Sequence, residues 1–427
     1  MLNMKLFKEQ VELIRADHEK RGISCEPIDT VLELEAQLVD ARHQMEMARK
    51  ERNTAARAIG VAKKSGDAAE IERVMAEVTD LGKRIDELDE AANSLIEQRD
   101  RVRMSIPNIL HKEVPVGADE GGNTQHSLHG DKPEFDFDAR THNELIEMNK
   151  WVELERAAKI TGSRFFFLKG DLARLELALQ SYAVDFICKR GYTFIQPPVM
   201  MNRQAYEGVT DLSDFETVMY GVEPDKLYMV ATSEHPLTAM YMDEVIDTAL
   251  LPIKMVGVSA CFRREVGAHG LSDRGIWRVH QFTKVEQIII SDPEDSWQHH
   301  EDLLQNCIDL WDSLDLHYEV VNICTGDMGT VAARKYDLEA WLPGADAYKE
   351  IVSCSNCTDY QANRLKIRYR KKDNTHASVH TLNSTAVATS RALVAIMEQN
   401  QLEDGRVKVP EVLVPYMGKG ILEPCSF

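Results

Sequence analysis

The sequence lacks several features that mark large classes of protein. No apolar run approaches the length needed to cross a membrane, and Met1–Gln10 carries charges too early for a secretory signal peptide. Neither a G-x-G-x-x-G loop nor a Walker loop occurs, which excludes Rossmann-type and P-loop binding of a nucleotide. Positive charge is also scarce, since the formal net charge is −20. This excludes nucleic-acid binding through the overall field of the protein, but not through a local basic surface.

Cysteine is sparse and shows no metal-binding pattern. The eight cysteines are scattered along the chain, and several stand in strongly apolar segments (Cys188, Cys261 and Cys307). Cys354 and Cys357 form a lone Cys-x-x-Cys without the two further ligands that a zinc site requires. We therefore expect a reduced, cytoplasmic protein with no membrane association and no zinc, and the role of this cysteine pair stays open.

The composition is that of an ordinary globular protein with room for two domains. Hydrophobic residues make up 44% and charged residues 28% of the 427 positions. After about Thr141, strand and helix patterns mix without βαβ alternation, which predicts an α+β domain on a mainly antiparallel sheet. The stretch from Lys112 to Pro133 is rich in Gly, His, Asp and Pro and has no periodicity, so we predict an interdomain linker there.

Two helical runs of matched length lie near the N-terminus. Apolar residues recur at three- and four-residue spacing over residues 31–62 and again over 71–102, with Ser65-Gly66 as the break. The pattern predicts an antiparallel coiled-coil hairpin about 50 Å long, ending before Pro107. Its distal half is basic, through Arg49, Lys50, Arg52, Arg57, Lys63 and Lys64. A dimerising hairpin and an arm for a phosphate-bearing partner such as nucleic acid both fit this pattern.

The most informative stretch is Cys261–Ile290. Two strand patterns flank a turn-rich segment that contains Gly267, Gly270, Ser272-Asp273 and Gly275. Side chains alternate across a strand, so one face should carry Arg278, His280, Phe282, Lys284 and Glu286. Phe282 and Glu286 would lie about 13 Å apart, roughly the long axis of an aminoacyl-adenylate. With Arg263 placed across the hairpin near phosphate, the stretch predicts a site for a nucleotide joined to a small polar group.

These residues resemble a known family. The run Phe262-Arg263-Arg264-Glu265 is similar to motif 2 of the class II aminoacyl-tRNA synthetases. The whole chain, with its Arg21-Gly22 turn, its helical hairpin and its three synthetase motifs in order, resembles the seryl-tRNA synthetase family. The resemblance implies an N-terminal tRNA-binding domain over residues 1–112, with the arm at about 29–103, and a catalytic domain over 113–427. It also implies a homodimer through motif 1, which begins with the helix Asp171–Arg190.

The resemblance implies a ligase that activates L-serine with ATP and transfers the seryl group to the 3′ end of serine-accepting tRNA. Its catalytic residues would be Arg263, at the α-phosphate, and Arg391, at the γ-phosphate. Glu350 and Ser353 would bind Mg²⁺, for which a carboxylate and a hydroxyl are suitable hard ligands. The implied ATP-binding set, in which Phe282 stacks on adenine, is Arg263, Arg264, Glu265, Val279, Phe282, Glu350, Ile351, Val352, Ser353 and Arg391.

The resemblance also implies a serine pocket formed by Thr232, Ser233, Glu234, Glu286, Asn383 and Thr385. Thr232 and Glu234 share strand parity, so we expect both to face one pocket. A pocket that hydrogen-bonds a hydroxyl rejects alanine because its polar groups are then left unpaired. Two departures from the family pattern occur: Ser384, Ala386 and Ser390 replace common glycines, and Asn363 replaces a usual arginine. The polar loop Asp211–Tyr220 is expected to close over the site.

Three other interpretations each leave part of the sequence unexplained. A related ligase that loads an amino acid on a carrier protein would lack the long helical arm, which this chain has. A non-catalytic RNA-binding paralogue should have lost some of the ATP-binding and serine-binding residues. Arg263, Glu265, Glu286, Glu350 and Arg391 are all present. A purely structural coiled-coil protein would leave the larger C-terminal portion unexplained.

Overall fold

The computed structural model describes residues 1–211, 217–265 and 275–427. Gly267, Gly270, Ser272-Asp273 and the middle of the predicted loop Asp211–Tyr220 lie outside the described residues. The chain divides into two compact units, Leu2–Pro107 and Asn108–Phe427, the second of which includes Met1. The boundary predicted from the sequence lies five residues later, after residue 112.

The first unit consists of four helices. They are α1 (Met4–Glu9), α2 (Val11–Arg21), α3 (Glu26–Ser65) and α4 (Ala68–Ser105). Gly66 ends α3 in the left-handed conformation, with φ of 76°, which glycine adopts without steric cost. The Asp67 side chain then accepts a hydrogen bond from the backbone N–H of Glu70 and caps α4. This tight turn reverses the chain at the predicted break.

The seam between α3 and α4 is made of small and aliphatic side chains. Its buried members are Leu38, Ala41, Ala48, Ala55, Ala62, Val74, Ile85 and Ala92. Arg99 interrupts the apolar pattern, but its guanidinium lies 2.6 Å from the Glu35 carboxylate of α3 and 2.8 Å from Asp100. The interruption is therefore an inter-helix ion pair. The predicted antiparallel coiled-coil hairpin is confirmed.

The second unit contains the remaining helices and all of the described strands. The helices are α5 (His142–Asn149), α6 (Leu154–Thr161), α7 (Gly170–Cys188), α8 (Arg203–Val209), α9 (Glu234–Ala239), α10 (Ser296–Ser313), α11 (Tyr360–Leu365), α12 (Thr389–Gln399) and α13 (Val414–Met417). The strands are β1 (Thr124–His129), β2 (Val152–Glu153), β3 (Phe167–Leu168), β4 (Thr193–Ile195), β5 (Met200–Asn202), β6 (Gly221–Val222), β7 (Leu227–Met229), β8 (Val245–Ile246), β9 (Ile253–Phe262), β10 (Gln281–Ser291), β11 (Tyr318–Asn322), β12 (Arg334–Leu342), β13 (Ala347–Asn356), β14 (Arg368–Arg370), β15 (His376–Ser378), β16 (His380–Ala388), β17 (Val407–Lys408) and β18 (Ile421–Leu422).

An eight-stranded sheet organises this unit. Its strand order is β1-β11-β12-β13-β16-β10-β9-β4, and each neighbouring pair is antiparallel except β4 with β9. Helices α7, α10 and α12 bury apolar residues in one core with the sheet, among them Leu179, Trp311 and Ile396. The predicted α+β class on a mainly antiparallel sheet is confirmed.

The predicted linker is partly wrong. Within 112–133, β1 forms the edge strand of the large sheet and pairs with β11. A register shift between Gln125 and Ser127 breaks the alternation of side chains along β1. β1 is also mostly polar and exposed to water, as edge strands often are. Its sequence therefore shows little alternation of apolar and polar residues. Across the described residues, no helix is both long and apolar enough to cross a membrane.

Candidate active site

One cavity of about 530 Å³ opens at the centre of the large sheet. Most of the sequence-predicted site residues line it. They are Thr232, Glu234, Arg263, Glu265, Val279, Phe282, Glu286, Glu350, Ile351, Ser353, Asn383, Thr385 and Arg391. The side chains come from strands β10, β13 and β16, from the start of α12 and from the segments that follow β7 and β9. Residues up to 159 positions apart thus meet in one space.

The β9–β10 hairpin forms one wall of the cavity. Phe282 pairs with Cys261, and Glu286 pairs with Gly257, in an unbroken antiparallel register. The guanidinium of Arg263, just beyond β9, lies 5.5 Å from the centre of the Phe282 ring. Its Nε also donates a hydrogen bond to the carbonyl oxygen of Ala231 at 3.3 Å. The aromatic ring and the cation are therefore neighbours, as a site for a base and a phosphate requires.

Arg391, which the resemblance places at the γ-phosphate, meets the predicted magnesium ligand Glu350. Arg391, near the start of α12, donates from Nη1 to the backbone oxygen of Glu350 at 2.8 Å, and the same atom lies 3.3 Å from the Glu350 carboxylate. Burial would raise the pKa of Glu350, but Arg391 and then Lys335 outweigh it, so the pKa of Glu350 is lowered. Glu350 is consequently ionised at neutral pH, which suits a ligand for a divalent cation.

Ser353 and Glu350 belong to β13, whose neighbour β12 supplies two residues that the sequence analysis did not single out. Asp337 is the direct register partner of Ser353. The Lys335 ammonium lies 3.1 Å from the Asp337 carboxylate and, unlike Asp337, lines the cavity. Among the described residues no group of three His, Cys, Asp or Glu side chains could hold a metal ion.

The serine pocket predicted from the resemblance surrounds Glu286. This carboxylate is almost fully buried at 1% exposure, and its partners include Lys284, 2.9 Å away, and the Thr385 hydroxyl. Burial raises the pKa of Glu286, while the positive charge of Lys284 opposes that shift. Asn383, on the same face of β16 as Thr385, also reaches the cavity.

Thr232 and Glu234 do not lie on a strand as predicted, although both residues line the cavity. Strand β7 ends at Met229, and Glu234 is the first residue of the short helix α9. Glu234 instead reaches the pocket because the chain turns there, with its backbone N–H donating to the Thr232 hydroxyl at 3.2 Å. Period-two parity holds only while the backbone stays extended.

Glu234 is held by a buried glutamine. Gln361 of α11 donates from Nε2 to the Glu234 carboxylate at 2.9 Å and accepts a hydrogen bond from the Thr381 hydroxyl at 2.6 Å. Burial and the nearby charge of Glu286 raise the pKa of Glu234 to about 7. The two carboxylates of the pocket therefore differ in their neighbours: Glu286 has a lysine beside it, whereas Glu234 has a neutral amide and a pKa close to neutral pH.

Three of the predicted residues direct their side chains elsewhere. The Ser233 hydroxyl hydrogen-bonds that of Ser259 at 2.8 Å, Val352 packs into the main core, and Arg264 is exposed at the surface. Val352 points away because alternation along β13 places its neighbours Ile351 and Ser353 at the cavity. Any contact of Ser233 or Val352 with a ligand would have to come from the backbone.

Neither Lys284 nor Gln361 has a role predicted from the sequence. Lys284 stood on the predicted face of β10 with Phe282 and Glu286, so alternation was a signal that could have found it. Gln361 had no such signal, because its contacts with Glu234 cross 127 residues of sequence.

The cysteine pair is buried, and burial raises the pKa of both thiols well above the usual value. Asn383 donates a long hydrogen bond of 3.6 Å to the sulfur of Cys357, at the edge of the pocket. All eight cysteines of the chain are unpaired.

Comparison with known proteins identifies the family. The profile of the seryl-tRNA synthetase N-terminal domain matches residues 1–110, and that of the class II tRNA synthetase core domain (G, H, P, S and T) matches residues 220–400. The serine–tRNA ligase of Methanoregula boonei is 49% identical over 422 residues, covering 98% of this chain and 99% of the relative.

Solved structures agree with these matches. The seryl-tRNA synthetase of Pyrococcus horikoshii, crystallised with ATP, has 41% identity and a TM-score of 0.93, with 100% of both chains covered. The cytoplasmic serine–tRNA ligase of Naegleria fowleri, in complex with AMP, has 34% identity and a TM-score of 0.88, with 99% of both chains covered. The chain belongs to the seryl-tRNA synthetase family, the class II ATP-dependent ligases that activate serine as seryl-adenylate and join it to tRNA.

Proposed function

We propose that the cavity binds ATP and L-serine side by side, with the base at Phe282 and the amino-acid hydroxyl at Glu286. The observation that carries this assignment is the arrangement of one cavity wall: Phe282 and Glu286 stand four residues apart on the same face of β10, and Arg263 lies beside the ring. A rise of about 3.4 Å per residue makes that separation match an aminoacyl-adenylate.

The chemistry that these groups support requires little proton transfer. The serine carboxylate attacks the α-phosphorus of ATP, a new P–O bond forms, and pyrophosphate leaves in line. Catalysis then consists of positioning the reactants and neutralising developing negative charge. We assign Arg263 to the α-phosphate and Arg391 to the γ-phosphate. In the second reaction the seryl carbonyl passes to a terminal hydroxyl of tRNA, and AMP leaves.

Glu350 and Ser353 would hold a Mg²⁺ ion, and both line the cavity. The fit is good because Mg²⁺ in nucleotide sites takes one or two protein oxygens and completes its shell with phosphate and water. An ionised Glu350 beside the hydroxyl of Ser353 supplies such a pair. When bound, the ion would neutralise charge on the phosphates.

Serine selection is assigned to the pocket of Thr232, Glu234, Glu286, Asn383 and Thr385. Glu286 and Thr385 would hydrogen-bond the substrate hydroxyl, and alanine would leave them unpaired. Threonine has the hydroxyl too, so it would be rejected by shape, which is the weaker filter.

The arm is the proposed tRNA-binding element. Arg49, Lys50, Arg57, Lys63 and Lys64 expose their side chains along its distal half, where they can contact phosphates despite the overall charge of −20. A homodimer through α7 is also proposed, because α7 forms most of the motif 1 helix and exposes Leu177 to solvent. A cytoplasmic location fits the eight unpaired cysteines.

The test is ATP–pyrophosphate exchange measured with each of the twenty amino acids, followed by aminoacylation of total tRNA. The proposal expects exchange with serine far above the other nineteen, and serine attached to tRNA. Exchange with serine but loading of a carrier protein in place of tRNA would overturn the assignment of the acceptor. Exchange that prefers another amino acid would overturn the assignment of the pocket.

A further inference from the structure

Lys284 occupies the middle of the cavity wall, two residues from Phe282 and two from Glu286 on β10. It is buried, with 9% of its surface exposed. The roles assigned above use the residues on either side of this lysine and leave the lysine itself without one. A buried ammonium is costly unless it is paired, so its partners indicate what it does.

The Lys284 ammonium connects two residues of the proposed serine pocket. Its Nζ lies 2.9 Å from Oε2 of Glu286 and donates to the Thr232 hydroxyl at 3.4 Å. Both partners belong to the amino-acid end of the cavity. The contacts therefore tie Lys284 to the serine pocket.

The two buried carboxylates of the pocket have different supports. Glu234 is hydrogen-bonded by the neutral amide of Gln361, whereas Glu286 has the Lys284 ammonium beside it. A carboxylate paired with a lysine stays ionised and held in one orientation, and it accepts hydrogen bonds without donating one. Such a group is suited to a neutral hydroxyl donor.

We propose that Lys284 is a positioning residue for serine selection, which keeps Glu286 ionised and oriented to accept the hydrogen bond of the substrate hydroxyl. This inference rests on the proposed function and adds the group that makes Glu286 selective. Without Lys284, the buried Glu286 would take up a proton or turn away, because an unpaired buried charge is strongly unfavourable. Alanine has no hydroxyl to contact Glu286. Its kcat/KM, which is already low, should therefore change little.

The experiment compares the full-length enzyme with Lys284→Met, Lys284→Arg and Glu286→Gln, and with the double variant Lys284→Met/Glu286→Gln. Lys254→Met is the matched control, since this lysine is on the neighbouring strand β9 and packs against the Tyr192 ring. The readouts are serine binding by calorimetry without ATP, and kcat and KM for serine, alanine and ATP in pyrophosphate exchange.

For Lys284→Met we expect serine binding to weaken at least about tenfold and the ratio of kcat/KM for serine over alanine to fall by a similar factor. The KM for ATP should stay within about twofold, and Lys284→Arg should recover most of the loss because it restores the charge. In the Glu286→Gln background the effect of Lys284→Met on serine binding should nearly vanish, because the lysine acts through Glu286.

Two results would overturn the inference. One is serine binding and a serine-to-alanine ratio in Lys284→Met equal to those of Lys254→Met. The other is an equal loss for serine, alanine and ATP, which would indicate a merely structural role; Lys284→Arg decides the matter if Lys284→Met does not fold. A wild-type enzyme without serine-dependent exchange would instead contradict the proposed function itself, so the two failures are distinguishable.

Discussion

The helical arm is specified by a local repeating pattern, whereas the catalytic cavity is specified by contacts between residues far apart in sequence. In the arm, one repeating spacing specifies the whole seam, and even its charged interruption at Arg99 is paired across the hairpin with Glu35. In the cavity, each contact is particular: Arg391 meets Glu350 from 41 residues away, and Gln361 meets Glu234 from 127 residues away. A repeating seam should keep most of its stability when one residue is replaced, whereas a site made of individual contacts should lose activity when one of them is removed. The following changes test that difference, from the largest expected effect to the smallest.

Replacing Arg263 by alanine should lower serine-dependent pyrophosphate exchange by about 10²–10³-fold, because a preorganised cation at the α-phosphate is lost. The melting temperature should change little, since Arg263 is only half-buried. Arg406→Ala, at an exposed ion pair with Asp404, is the control. Near-normal exchange in Arg263→Ala would contradict the motif 2 assignment.

Deleting residues 31–102 and closing the gap with a short linker should lower tRNA charging by about 100-fold or more, because the basic contacts to phosphate are removed. Exchange should remain within about twofold, because all of the described residues that line the cavity come after position 208. Full charging by the deletion variant would show that the arm is not the tRNA-binding element.

The pH dependence of serine binding should report on Glu234. We propose that ionised Glu234, as part of the serine pocket, pairs with the substrate ammonium, and burial and the charge of Glu286 raise the pKa of Glu234 to about 7. The KM for serine should therefore fall as pH rises towards 7, by at most about tenfold per pH unit, and level off above it. Glu234→Gln removes this titration and should flatten the profile between pH 5.5 and 8. A wild-type KM already constant in that range would contradict the prediction.

Replacing Arg99 by methionine should destabilise the arm by only about 1 kcal/mol, because Glu35 keeps Lys8 as a partner, 2.8 Å away, after the contacts of Arg99 with Glu35 and Asp100 are lost. The measurement is urea denaturation followed by the helical circular dichroism signal. Arg101→Met, on the exposed side of α4, should be silent. A loss of several kcal/mol would mean that the seam depends on single contacts as much as the cavity does.

Much of the site was predictable from sequence because β10 is regular. Alternation along this strand correctly placed Phe282, Lys284 and Glu286 on one face, and each of them lines the cavity. The same reasoning failed at Thr232 and Glu234, where a helix begins. It also failed for the edge strand β1, whose polar residues and register shift leave no periodic signal.

By itself, the sequence determined the helical hairpin, the fold class and a set of site residues, most of which line the cavity. Local periodicity and short motifs carry that information, because each depends on neighbours within a few positions. Only the tertiary structure decided that Lys284 pairs with Glu286, that Gln361 holds Glu234, and that Ser233 and Val352 point elsewhere. These outcomes depend on which strands become neighbours and on how deeply each charge is buried. The local sequence pattern does not determine either of them.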